Sequence, residues 1–267
     1  MRSRAMRFSP SRATWYKIAR IAVFYVLLIG AWWAVAAAEV WSPYLFPSPL
    51  SVVRALIRTA SNGQLLDALA HSMFRLVVGY AISMVLGLAL GVLTATSRWA
   101  DDTIGGIVLG LQSLPSITWL PMAVLWFGLS EQAIIFVVLM GSTFSIAISA
   151  RAGIRGIPPL LARAAGTLGA TRRQAYQYVV LPGMIPAMVQ GMQQGWSFAW
   201  RSLMAGELLF VSAGLGHLLD VGRNLQNIAM VFAVMLVIIL VGVAVDRLVF
   251  GRAERWVRER WGYAATR

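Results

Sequence analysis

The sequence predicts an all-α integral membrane protein with six transmembrane helices and both chain ends in the cytoplasm. Three observations predict it. Of 267 residues, 59% are hydrophobic and only 12% are charged, against roughly 25% charged in soluble domains. Six uncharged stretches approach or exceed the ~20 residues that cross a bilayer as a helix. Those stretches divide the Lys and Arg residues unequally, eighteen on one side and three on the other, and the rich side is the cytoplasmic one.

The elements follow in order. A basic cytoplasmic arm, residues 1–20, carries Arg2, Arg4, Arg7, Arg12, Lys17 and Arg20. The first span is Ile21–Ala38. It is too long for the apolar segment of a cleaved signal peptide, so it is expected to stay as a span. The outer loop Glu39–Arg75 holds Phe46-Pro47-Ser48-Pro49 and then an amphipathic stretch, Leu50–Ile57, that Ser48 or Ser51 can cap. Span two is Leu76–Ser97, with Gly87 and Gly91 in a GxxxG pattern that favours helix packing. The inner turn after it has Arg98 and Asp101-Asp102, which read as a solvated turn or helix cap rather than a metal site. Span three, Thr103–Ser130, is long, and Pro115 and Pro121 should kink it. Span four is Gln132–Ala150. The inner loop 151–173 has Arg151, Arg155, Arg163, Arg172 and Arg173 and no acidic residue. Span five, Gln174–Trp200, stays apolar in character to Phe210 and contains Pro182 and Pro186. Span six is Asn224–Val245. A transmembrane domain over 21–250 then gives way to a basic cytoplasmic tail, 251–267. Outside lie only Arg54, Arg58 and Arg223; Arg75 sits at a boundary and Arg201 within a span. Trp15, Tyr16, Trp41, Tyr44, Trp99 and Trp256 mark span ends as interfacial anchors.

Several functions are excluded. A net charge of +13 would point to nucleic acid in a soluble protein; here the cytoplasmic loops account for it and no basic soluble face remains. Without cysteine there is no disulfide, thiolate metal site or thiol nucleophile. His71 and His217 do not make a metal cluster. No Gly-x-x-x-x-Gly-Lys-Ser/Thr, His-Glu-x-x-His or Gly-x-Ser-x-Gly pattern occurs. The chain is therefore expected to have no catalytic residue, no metal and no cofactor of its own.

The inner loop is the most informative segment. Pro159 can open a short helix, because its missing N–H would be unbonded there anyway. Leu160, Leu161, Ala164, Ala165 and Leu168 then form an apolar stripe. The small residues at 164 and 165 let a partner surface approach, and Gly169 supplies a stop with positive φ. Periodicity alone also fits a plain amphipathic surface helix.

The wider spacing resembles a known family. Ala164-Ala165, three residues, Gly169, nine residues and Val179-Val180-Leu181-Pro182 are similar to the cytoplasmic motif of permease subunits of binding-protein-dependent ABC importers. That motif is Glu-Ala-Ala, three residues, Gly, nine residues and Ile-x-Leu-Pro; Arg163 stands here in place of its Glu. Leu45–Pro49, Leu114-Pro115, Trp119–Pro121, Leu125–Gly128, and Glu207 followed by Gly214–Gly216 look like the nitrate/sulfonate/taurine branch. The resemblance covers about residues 20–262. It implies a non-catalytic inner-membrane subunit of type I importer architecture, in which Leu160, Leu161, Arg163, Ala164, Ala165, Leu168 and Gly169 couple to the ATPase.

Its implied partners are two cytoplasmic ATPases that bind ATP and Mg, a second copy of the permease, an extracytoplasmic binding protein and membrane lipid. The implied cargo is a small anion: aliphatic sulfonate or taurine first, nitrate or bicarbonate next. A neutral vitamin precursor is the alternative within the class. A secondary transporter would call for intramembrane carboxylates or an internal repeat, and a membrane enzyme for a His/Asp/Glu cluster at one depth; the sequence displays neither.

One polar feature remains within a span. Gln190, Gln194, Ser197 and Arg201 fall within roughly 60° of one another on a helix, with Gln193 beside them. A charge at membrane depth costs roughly 2.5–3.5 kcal/mol on insertion scales, so it faces protein or water. The stripe reads as a translocation path with a cation suited to an anion. Interhelical hydrogen bonding, or pairing of Arg201 with Glu207, is the other reading, although residues six apart do not face each other on one helix.

Overall fold

The structure is a computed structural model and describes residues 12–209 and 213–260. Among these, every regular element is helical. The chain runs α1 (Arg12–Ala37), α2 (Pro49–Ser61), α3 (Gln64–Thr96), α4 (Arg98–Gln112), α5 (Ser116–Phe127), α6 (Glu131–Arg155), α7 (Pro159–Thr167), α8 (172–209), α9 (Leu215–Asn224) and α10 (Ile228–Arg260).

The core is a seam of three helices with α6 between α3 and α8. Lipid gives helices no hydrophobic reason to associate, so close backbone approach has to supply the attraction. On α3, Gly79, Ser83, Gly87 and Gly91 recur every fourth residue, and all are buried. A methyl group at Gly87 would lie 2.7 Å from the Thr143 carbonyl, and one at Gly91 2.6 Å from the Ala150 side chain. The GxxxG expected from the sequence is thus a packing surface. α8 presents Gly191, Gly195, Ala199 and Ser202 to the other side of α6 in the same manner. Ile134, Val137, Val138 and Leu203 fill the space between.

These pairings fix chain direction. Gly79 meets Val138, Gly87 meets Thr143 and Ile146, and Gly91 meets Ala147 and Ala150, so α3 and α6 run parallel and α4–α5 must return between them. Gly195 meets Ile146 while Gly153 meets Ala187, so α8 runs antiparallel to α6. Gln193 bonds Asp246 while Trp200 lies against Gly242, so α10 is antiparallel to α8. Near its end, α1 reaches the start of α10 through Trp32 and Phe232, 5.9 Å between ring centroids. Direction therefore reverses five times over six passes, and the first and last described residues lie on the side of the α6–α8 connection.

Length and apolar composition qualify α1, α3, α6 and α10 as spans among the described residues, and α4 with α5 as a fifth. α8 is long enough for the predicted sixth span but is more polar than the others, carrying Gln190, Gln193, Gln194 and Arg201. The third predicted span, Thr103–Ser130, is more than kinked: α4 and α5 meet at 101°. Pro115 explains the break, since it disfavours helical backbone at Leu114. Leu114 N–H instead turns back to Leu111 O. Pro182 acts more mildly. It has no N–H to offer, and the preceding turn widens, with Leu181 N–H reaching five residues back to Tyr176 O.

Several predicted boundaries fall inside helices. Arg151 and Arg155 close α6 instead of opening a loop. α10 runs through residue 250 to Arg260, so the boundary drawn at 251 falls inside a helix. The arm 1–20 is helical from Arg12. Arg2, Arg4, Arg7, Phe210 and Arg267 lie outside the described residues. Ser48 is the cap of α2, its hydroxyl accepting from Ser51 N–H at 3.3 Å. Trp15, Tyr16, Trp41, Tyr44, Trp99 and Trp256 are all exposed at helix ends or loops, as anchors should be.

Candidate translocation path and coupling surface

α7 projects from the inner end of the bundle. Pro159 opens it, and the helix ends in a Schellman motif: Gly169 has φ +84°, Gly169 N–H bonds Gly166 O, and Ala170 N–H bonds Ala165 O. The predicted glycine stop is thus met, with Leu168 as the capping residue outside the helix proper. Thr171 then caps α8 in a reciprocal box with Gln174. α7 buries none of its residues. Leu160 is 71% exposed, Leu161 51% and Leu168 88%. Arg163, Ala164 and Gly169 are exposed too, and Ala165 is half-buried. Among the described residues nothing covers the apolar stripe expected from the sequence, apart from Leu161 at the rim of a cavity.

That cavity, about 680 Å³, lies at the inner end between α6, α8 and the end of α10. Gly153, Pro158, Leu161, Pro186, Gln190 and Val257 are among its walls. Of the predicted stripe on α8, Gln190, Gln194 and Arg201 are exposed in this subunit. Ser197 is half-buried, and its hydroxyl donates to Gln193 O at 3.1 Å. The four do not converge on one cavity: Gln190 opens inward, while Arg201 borders two cavities further out, each about 340 Å³. One of them includes the broken segment 111–116 between α4 and α5. Non-helical backbone at membrane depth is tolerated where it lines such a cavity.

Arg201 does not pair with Glu207. Its Nε donates to Ser197 O at 3.0 Å and its guanidinium lies over Phe198; no carboxylate among the described residues is within ion-pair distance. Glu207 is fully buried and takes Arg75 Nη1 at 2.9 Å, the Ser72 hydroxyl at 2.7 Å and Gly216 N–H at 3.0 Å. Arg75, 1% exposed, also donates to Ala213 O at 2.6 Å and to Glu131 at 2.9 Å. The Gly214–Gly216 turn wraps this carboxylate so closely that a Cβ at Gly214 would overlap it.

At the inner end, Asp101 lies 2.6 Å from both Arg151 and Arg155, and Arg155 donates to Thr94 O. Asp101 is therefore a clamp between the α3–α4 turn and α6, which corrects the solvated-turn reading for that residue, while Asp102 is exposed. Gln193 Nε2 donates to Asp246 Oδ1 at 2.7 Å within the bundle. Among the described residues two carboxylates, Glu207 and Asp246, are thus bonded within the bundle, and of these the sequence points only to Glu207. Their partners are 132 and 53 residues away. Only their presence in apolar segments could have marked them.

A six-crossing helical subunit with a polar membrane helix and an unpartnered helix on its inner side has the build of a transport permease. The chain belongs to the family of binding-protein-dependent transport system inner membrane components, whose model matches residues 83–255. It is 28% identical over 219 residues to the taurine transport system permease protein TauC of Escherichia coli, covering 80% of this chain and 78% of that one. It is 25% identical over 242 residues to the nitrate import permease protein NrtB of a Synechocystis strain, covering 87% of each. An inward-facing structure of the MetNI methionine ABC transporter shares the fold, with a TM-score of 0.60, 23% identity and coverage of 73% of this chain and 95% of that chain. The chain is accordingly a non-catalytic, multi-pass inner-membrane component of an ABC transporter.

Proposed function

We propose that this chain is the permease of an ATP-driven importer of small organic sulfonates, working as a homodimer with both ends and α7 in the cytoplasm. Two ATPases, which bind ATP and Mg, dock on α7, and an extracytoplasmic binding protein delivers the substrate. The observation that carries this reading is α7 itself, a capped helix with no buried residue among the described ones, yet tied through four residues to α8. Motion of a docked ATPase would reach α8 directly through so short a link. Leu160, Leu161, Ala164, Ala165 and Leu168 supply the apolar contact, and Arg163 places a cation where relatives of the motif have an acid. The exposed Gln190, Gln194 and Arg201 cannot face lipid cheaply; a water-filled path shared with the second copy gives them a polar surrounding. Partner binding biases the inward and outward states, because each partner prefers a different one.

The test is reconstitution of the permease, its ATPase and its binding protein in liposomes with 2-aminoethanesulfonate (taurine). ATP-dependent uptake is expected. Ala165→Asp should abolish uptake and substrate-stimulated ATP hydrolysis while leaving the permease inserted. Full activity in that variant would remove α7 from the coupling role. Uptake of nitrate with rejection of sulfonates would reassign the cargo.

A further inference from the structure

We propose that the groove between α8 and α10 is a transit subsite for a zwitterion, with its anionic end at Arg201 and its ammonium end at Asp246. This rests on the sulfonate-importer reading above and narrows it to amino-sulfonates. The groove has a volume of about 340 Å³ and is lined by Trp196, Ser197, Trp200 and Arg201 of α8 and by Gly242 and Asp246 of α10. It therefore holds one cation and one carboxylate at membrane depth. Opposite charges so placed would be expected to neutralise each other. Here they do not: among the described residues Arg201 has no carboxylate partner, and Asp246 has the Gln193 amide on Oδ1 and no hydrogen bond on Oδ2.

Both heads are held in place by neutral groups. The bond from Arg201 Nε to Ser197 O folds the guanidinium back by one helical turn, to about the level of Ser197. The Gln193 amide fixes Asp246 at the level of Gln193. Ser197 and Gln193 are four residues apart, about 6 Å along the axis. The two groups also stand on different helices, so their separation exceeds this axial offset and leaves room, after a contact of ~2.8 Å at each end, for an anion and an ammonium joined by a short chain. Trp196 and Trp200, each 8% exposed, form an apolar wall along the groove, and a low-dielectric surface beside a charge contact strengthens it.

The test uses two probes of the same skeleton, taurine and ethanesulfonate, which lacks the ammonium group. Binding of each is measured by ligand-detected NMR on the permease–ATPase complex in nanodiscs, without the binding protein. Asp246→Asn keeps the size and the hydrogen bond to Gln193 but removes the charge. It should weaken taurine about tenfold, the scale of one charge-assisted hydrogen bond, and leave ethanesulfonate within about twofold. Asp246→Glu should retain the preference for taurine. Arg201→Gln should weaken both probes. Equal weakening of both probes by Asp246→Asn, or no change in either, overturns the proposal and leaves Asp246 as a helix-packing group. Thermal midpoints of each variant complex separate loss of binding from loss of fold. ATP-driven uptake by the complete importer distinguishes the two readings. If neither probe is imported, the sulfonate reading falls and this one with it; if taurine is imported but its binding ignores the charge at 246, only this one falls.

Discussion

Two ionic clusters close opposite ends of the same pair of parallel helices, α3 and α6, and they are built differently. At the outer end Arg75 and Glu207 are sealed from solvent, and Ser72, Gly216 N–H, Ala213 O and Glu131 complete their bonding. At the inner end Asp101 meets two arginines whose side chains are 28% and 40% exposed. A buried pair is expensive to make and more expensive to break, because losing one partner strands a charge. A half-exposed pair is screened and releasable. The outer cluster is thus suited to be a fixed point, and the inner one, next to the stem of α7, a contact that can open and close as the subunit moves.

The largest expected effect breaks the outer cluster. Glu207→Ala leaves Arg75 buried without its carboxylate and should cost about 3–5 kcal/mol, read as a fall in thermal midpoint or in folded yield of the detergent-purified subunit. A loss comparable to that of a surface pair would mean that the two ends are energetically alike. Next comes the seam between the clusters. Gly91→Ala drives a methyl group into Ala150 and the Ala147 carbonyl and should destabilise by about 1–3 kcal/mol. Gly79→Ala meets only the Val138 side chain and the Ile135 carbonyl at 3.3 Å, so it should be milder; thermal melts of the two variants side by side test that ranking.

Asp101→Asn should cost only about 0.2–1 kcal/mol, and adding salt to the unsubstituted protein should reproduce part of that shift. Its larger consequence should appear in the ratio of ATP hydrolysed to substrate moved. An unchanged ratio would make the inner clamp purely structural. The smallest effect on stability belongs to α7, where Leu160→Ser should stay within about 0.5 kcal/mol of the parent, as for other exposed positions, and be seen only in a pull-down of the ATPase.

The contrast also marks what the sequence could reveal. Spans, sidedness, the Ser48 cap, the GxxxG seam and the Gly169 stop are local in sequence, set by apolar runs, arginine counts or residues within one turn. They were legible. The Arg75–Glu207, Asp101–Arg151 and Gln193–Asp246 contacts join distant residues, and nothing along the chain announces the pairing. Arg201 and Glu207 drew attention as charges inside a span, but which of them would be matched depended on where α3 lay. The sharp turn before Pro115 was half legible: proline foretold a disturbance, while its 101° size came from the packing of the loop beside α6 and α8.

The parallel pairing of α3 and α6 also has a consequence for how the subunit is made. At roughly 5–20 residues per second, the ~60 residues between Gly79 and Val138 take about 3–12 s to be synthesised, and Glu207 emerges later still. Arg75 must therefore enter the membrane well before the carboxylate that will neutralise it. Its place near the outer end of α3, within reach of interfacial water, gives it somewhere to wait. The same arginine at the centre of the span would have to cross the hydrocarbon bare, so the position of this cluster suits the order of synthesis as well as the finished fold.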